Sequence, residues 1–369
     1  MNRCKNLLQE GVPQIDKIDF EQMNKKRRAL YECMWGNKAF DFSVTKTKYK
    51  GSVSNNSYTF TNTSTTNEEV CRNKLAELFG IQSRDTFNVK FTQSCSGSGQ
   101  ELKRIAVLHS SSLCALLFFY NVSKENPYTL EIEGEEYIFT YSCFEYQNTV
   151  IEGRNPSNMD VVLVGAEKKS GKQTVLFLES KFSEYYERTS QQLEIAAAYL
   201  DNKYGKALYD EAILAKMGLN RTAPDGNETF ILSSDEVCYL EGIKQMISHY
   251  IGIRNLYITA AQREDFVANA ISGGAKILLG EILFTKGIGQ LHIGNGIDCL
   301  SSFQRKYLLL ADILNVQLKA DGISDKFTVL SNILSYSQFQ DKEYIQEIEI
   351  KRFYFDLGKH ENLCSTQNK

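Results

Sequence analysis

Apolar and polar positions alternate most regularly in the middle of the chain. There Tyr128–Ile132, Glu136–Gln147, Met159–Val164 and Gln173–Phe182 read as strands, and the turn Glu167-Lys168-Lys169-Ser170-Gly171-Lys172 closes the last two into an antiparallel hairpin. Lys276–Phe284 reads as a further strand. Helical spacing governs other stretches. Glu68–Phe79 places Val70, Leu75, Leu78 and Phe79 on one side and is stopped by Gly80. Gln100 to about Tyr120 carries Leu102, Ile105, Leu108, Leu113, Leu116 and Leu117 at helical intervals, with Ser110-Ser111-Ser112 in the middle as small residues at a packing seam. A long helical tract covers 184–217, Glu241–Gly252 is a helix, and 302–319 and 325–356 are mostly helical. Residues 15–35 read as a charged helix, 51–67 as a polar loop, and Pro224-Asp225-Gly226-Asn227 as a turn. The order helix, strand, strand, strand, helix, strand predicts an α/β fold, a mixed sheet between helices.

Two of these strands carry charge where a buried strand should not. The segment Asn155-Pro156-Ser157-Asn158-Met159-Asp160 leads into Val161–Val164, and Val175-Leu176-Phe177-Leu178 leads into Glu179-Ser180-Lys181. Glu179 and Lys181 are two apart, so they project from one face of their strand. Mg²⁺ or Mn²⁺ takes oxygen ligands and keeps several waters, so Asp160 and Glu179 suffice as protein ligands, with the Ser180 carbonyl as a further one. Lys181 then positions or deprotonates an attacking water, or neutralises charge growing on a phosphate. The same residues also suit a structural Glu179–Lys181 pair on a half-exposed strand, although apolar flanks make unpaired charge expensive there.

The sequence Asn-Pro-x-x-x-Asp, a strand, a hairpin turn, then apolar-Glu-Ser-Lys resembles the PD-(D/E)xK nuclease superfamily, with the proline four residues before Asp160 instead of next to it. The resemblance implies a restriction-endonuclease-like core over 99–285 with a helical insertion near 184–240, an N-terminal helical and loop region over 1–98, and a C-terminal helical extension over 286–369. It also implies a metal-dependent hydrolase of phosphodiester bonds, with DNA as the expected partner. Asp160 and Glu179 become metal ligands and Lys181 the catalytic lysine. Glu101, at the start of the 100–120 helix, and Glu145, in Cys143-Phe144-Glu145-Tyr146, compete as the additional acid. A supporting glutamine falls at Gln245, which shares a helix face with His249, or at Gln192. Members that lost their chemistry and only bind nucleic acid or protein are the alternative.

Composition narrows the field. The 369 residues are 42% apolar with four prolines, enough for a sizeable core. No apolar run is long enough for a membrane helix, and the first ten residues lack a signal-peptide stretch. Nine unpatterned cysteines suggest reduced thiols in a cytoplasm, and four scattered histidines argue against structural zinc. A net charge of −3 gives nucleic-acid binding no support, and Lys25-Lys26-Arg27-Arg28 is the one dense basic cluster, either a solvated helix face or a phosphate contact. Gly165-Ala166-Glu167-Lys168-Lys169-Ser170-Gly171-Lys172-Gln173 mimics a P-loop, yet it has one residue too many between its glycines and leads into a strand. Ser96-Gly97-Ser98-Gly99 reads as a plain turn more readily than as a phosphate cradle. A two-carboxylate glycosidase leaves Lys181 unexplained, and Trp35 is the sole tryptophan for sugar stacking.

Overall fold

The computed structural model describes residues 42–49, 52–60, 67–96, 101–107, 110–182, 184, 190–201, 203–225, 228–284 and 299–355. The expected helix over 15–35, the basic cluster Lys25–Arg28, Trp35 and the turn at Gly97–Gly99 lie outside them. Within 42–60, described as backbone only, β1 (Phe42–Tyr49) and β2 (Ser52–Phe60) form an antiparallel hairpin. This replaces the loop expected at 51–67. The polar stretch retains Val53, Tyr58, Thr59 and Phe60, residues of high strand propensity, and a ladder partner decides its conformation.

Helix α1 (Glu68–Leu78) starts where the Asn67 side chain accepts the Val70 N–H at 3.2 Å, and Glu68 and Glu69 favour its positive end. It buries Cys71, Leu75 and Ala76, whereas Val70 faces outward. After α2 (Arg84–Ser94), the single helix expected over 100–120 is two pieces, α3 (Glu101–Arg104) and α4 (Ser111–Phe119). Ser110 is extended, and its hydroxyl accepts the Leu113 N–H at 3.0 Å. The serines therefore start a helix instead of sitting mid-helix. Their hydroxyls compete with backbone partners inside a helix and cap well at its start.

The core is a mixed sheet. β3 (Tyr128–Ile132), β4 (Glu135–Asn148), β5 (Ser157–Glu167) and β6 (Gln173–Lys181) are antiparallel in sequence, and β10 (Lys276–Leu283) then joins β6 in parallel. β6 is buried from Thr174 to Lys181, as its near-continuous apolar run requires of a central strand. Helices cover both faces. On one, the Ser180 hydroxyl donates to the Ser111 carbonyl of α4 at 3.1 Å and lies 2.8 Å from Tyr336 Oη. On the other, α8 (Leu240–Thr259) brings His249 to Glu179. The α4 face is aromatic: Phe182 stacks on Phe284 at 4.7 Å, and Phe118 packs on Tyr336 at 4.9 Å and on Tyr354 at 5.2 Å. That packing pins the ends of β6 and β10 where the charged residues lie.

Two helical expectations are overturned. In 184–217, β7 (Ser190–Ala196) pairs with β9 (Thr229–Cys238), and β8 (Leu219–Asp225) lies on the other side of β9. Only the short α5 (Ala198–Asp201), α6 (Lys203–Leu208) and α7 (Glu211–Lys216) are helical, so the segment near 184–240 is not a helical insertion. Gln, Leu, Glu and Ala favour helix locally, but the β9 ladder outweighs that preference. Likewise, α9 (Cys299–Ala320) is followed by β11 (Phe327–Val329) and β12 (Leu334–Ser335), both parallel to β10, and helix returns at α10 (Ile348–Phe355). The C-terminal part therefore completes the core sheet as well as adding helices. No helix among the described residues is long and apolar enough to cross a membrane.

Candidate active site

The site begins where a ladder ends. β5 and β6 pair from Ala166↔Gln173 to Val161↔Leu178. One step further, the Ser180 N–H donates to Asp160 Oδ2 at 2.8 Å, so a side-chain carboxylate takes the place of a strand carbonyl. The registers of neighbouring strands line up with this point. Phe144↔Val161 and Tyr146↔Met159 bracket Glu145 opposite Asp160, and Glu281 pairs with Glu179. Glu145, Asp160, Glu179 and Glu281 thus form one transverse row over β4, β5, β6 and β10. Directly paired residues share a face, and this face meets α8. Glu145 holds φ at +50°, a left-handed conformation that costs a glutamate roughly 1–2 kcal/mol and often accompanies a functional constraint.

Lys181 and Glu179 form a buried ion pair, with Lys181 Nζ donating to Glu179 Oε1. His249 Nε2 stands 2.8 Å from Glu179 Oε2, close as an ion pair, yet neither atom has a hydrogen-bond partner by direction. The other ring nitrogen, Nδ1, lies 2.5 Å from the Ser157 hydroxyl. Burial pushes the Glu179 carboxyl up, but Lys181 and His249 pull harder and hold it at about 2. Burial works against the charge on Lys181 too, and Glu179 outweighs it, so the ammonium titrates well above its ordinary range. Asp160 goes the other way: burial and then Glu179 raise it, against Lys181 and the Ser180 N–H. Glu281 is fully buried with neither oxygen hydrogen-bonded, and burial raises it most.

A cavity of about 470 Å³ opens over the first three acids of this row, lined by Glu145, Asp160, Glu179 and Lys181 from the sheet, and by Gln245 and His249 from α8. Gln245 accepts a hydrogen bond from Tyr239 Oη at 3.3 Å. Gln192 is elsewhere, exposed on β7 opposite Ser233. Glu101 begins α3, and its side chain lies outside the described residues. Ser180 gives its N–H to Asp160 and turns its hydroxyl to the opposite face. Arg104 and Lys244 add positive charge to the cavity wall. Glu281 was not singled out from the sequence, although an acid inside Leu278-Leu279-Gly280-Glu281-Ile282-Leu283 is the same anomaly that marks Glu179.

Among the described residues, no group of three or more His, Cys, Asp or Glu side chains is assembled to hold a metal ion. The residues therefore do not make an all-protein cage. They do fit a hard divalent cation held by two carboxylates. Asp160 and Glu179 are adjacent across the sheet and supply oxygen, and Glu179 Oε2 is buried without a hydrogen bond. Mg²⁺ needs no more than this from a protein, since it keeps several waters of its own. Compared with protein-family models, curated proteins and solved structures, the chain matches none of them.

Proposed function

We propose that the chain is a metal-dependent nuclease of the PD-(D/E)xK type with a restriction-endonuclease-like core. The observation that carries this reading is the meeting of Asp160, Glu179 and Lys181 at one cavity, where the β5–β6 ladder gives way. The element order α4, β4, β5, β6, α8, β10 supports it, since the superfamily core runs helix, three strands, helix, strand. Asp160 and Glu179 would hold Mg²⁺ or Mn²⁺, which would supply Lewis acidity to a phosphoryl oxygen and to a water. Lys181 orients the attacking water and offsets charge growing on the phosphate. Gln245 and Arg104 stand on the cavity wall where substrate would pass, and Glu145, on the same wall, would be the additional acid. DNA is the substrate the resemblance favours.

Purified protein with Mg²⁺ or Mn²⁺ is expected to cleave DNA, to lose cleavage in chelator, and to lose at least about a hundredfold in rate in Glu179→Ala and in Lys181→Ala. Wild-type rates in both variants refute the assignment. A second reading, a non-catalytic binding protein, draws on Glu179 already being neutralised by Lys181. Mn²⁺ titration followed by thermal melting separates the two: stabilisation that disappears in Asp160→Ala belongs to the enzyme.

A further inference from the structure

The row of acids has one member that the proposed chemistry does not use. Glu281 sits on β10 in direct register with Glu179, on the same face, and is 0% exposed with no hydrogen bond to either carboxyl oxygen. A buried carboxyl left in this state is costly, so a chain that tolerates it gains something elsewhere. On the neighbouring strand Lys181 is buried too. An ammonium has three donors, and the one hydrogen bond Lys181 makes among the described residues goes to Glu179. Unspent donors and unspent acceptors thus lie side by side on adjacent strands.

The present pairing also obstructs the cation. Lys181 occupies Glu179 Oε1, and His249 Nε2 stands 2.8 Å from the Oε2 left without a hydrogen bond, so a cation must share this carboxylate with the lysine. A cation that takes Glu179 displaces Lys181 from at least part of its contact. In a site this buried, a lysine without an acceptor is strongly disfavoured. The Tyr239 ring lies 5.9 Å from Nζ.

We propose that Glu281 is a positioning residue that receives Lys181 when a divalent cation takes Glu179, so that the lysine has two stations, Glu179 in the resting site and Glu281 in the loaded one. The exchange makes and breaks only hydrogen bonds. It rests on the metal-dependent reading above and goes beyond it, because it assigns a role to a residue that neither binds the cation nor touches substrate.

The test is Mn²⁺ affinity measured by calorimetry, with folding checked by melting in chelator. Glu281→Leu removes the second station and is expected to weaken Mn²⁺ binding roughly tenfold or more, the usual size of a supporting-residue effect on a metal. Glu281→Gln keeps an acceptor and is expected to stay within about threefold of wild type, a margin well inside that effect. The decisive arm is the cycle with Lys181→Met. Once the lysine is gone, Glu281→Leu should no longer alter affinity, whereas a merely structural role for Glu281 would act in either background. Equal Mn²⁺ affinity in wild type and Glu281→Leu, or an unchanged Glu281→Leu effect without Lys181, overturns the exchange and leaves the metal reading intact. A wild type that takes up no Mn²⁺ overturns both. If Glu281→Leu does not fold, the Lys181 Nζ NMR signal decides instead: it should shift when Mg²⁺ is added to wild type, and no shift overturns the proposal.

Discussion

At the scale of single residues, the site is read from charge in the wrong company. Asp160, Glu179 and Lys181 stand out in sequence because carboxylates and an ammonium interrupt apolar strands, and the structure gathers all three at one cavity. Glu281 carries the same mark, but only the β6–β10 pairing shows that it neighbours Glu179, 102 positions away in the parallel register. Glu145 was legible as a candidate, but its left-handed backbone was not, because side-chain type alone does not announce φ above zero. That conformation gives a prediction. Glycine adopts it freely, so Glu145→Gly should change stability by no more than about 1 kcal/mol, while Glu145→Val, branched and unsuited to φ = +50°, should cost roughly 2 kcal/mol. Urea unfolding checks both, and a valine variant as stable as the glycine variant refutes the strain argument.

At the scale of elements, long buried strands and the α8 helix were readable, since each holds one period over many residues. The misread elements are short or set by their partners. β7, β11 and β12 exist because another strand is already there, and α4 starts at Ser111 because Ser110 caps it, despite apolar spacing that runs on through Ile105 and Leu113. Ser110→Ala should therefore cost about 1 kcal/mol and loosen the N-terminal turn of α4, seen as faster amide exchange at Leu113. The close approach of β4 and β5 is a stronger constraint. A Cβ at Gly165 would lie 2.0 Å from the Ile138 carbonyl oxygen, against backbone that cannot yield locally. Gly165→Ala is expected to destabilise by roughly 3 kcal/mol or more, and a variant that melts with wild type would show the two strands free to separate there.

At the scale of the whole molecule, the charged row makes stability depend on pH in two opposite senses. Glu179 titrates near 2 in the folded chain against an ordinary 4.5, so its contribution is complete above 4.5 and is lost as pH falls toward 2. The size of that contribution is on the order of 3 kcal/mol. Asp160 and Glu281 are raised, so what they contribute is complete below their ordinary values and is lost as pH rises through their folded ones. Glu179→Gln should start from lower stability, because Lys181 loses its partner, and should show a flatter acid limb between 4.5 and 2 in unfolding measured against pH. A limb as steep as that of wild type would mean that other carboxylates govern acid unfolding.

The shared register of β6 and β10 has a consequence for folding. Strand faces alternate, so pairing β10 one residue out would turn Glu281 away from Lys181 and into the layer of Phe182, Phe284 and Tyr336, where a carboxyl finds no water and no cation. The parallel strand joins the sheet after a long excursion of chain, when mispairing is easiest. The buried acid therefore acts as a proofreading mark, making the wrong alignment expensive while the sheet is still assembling.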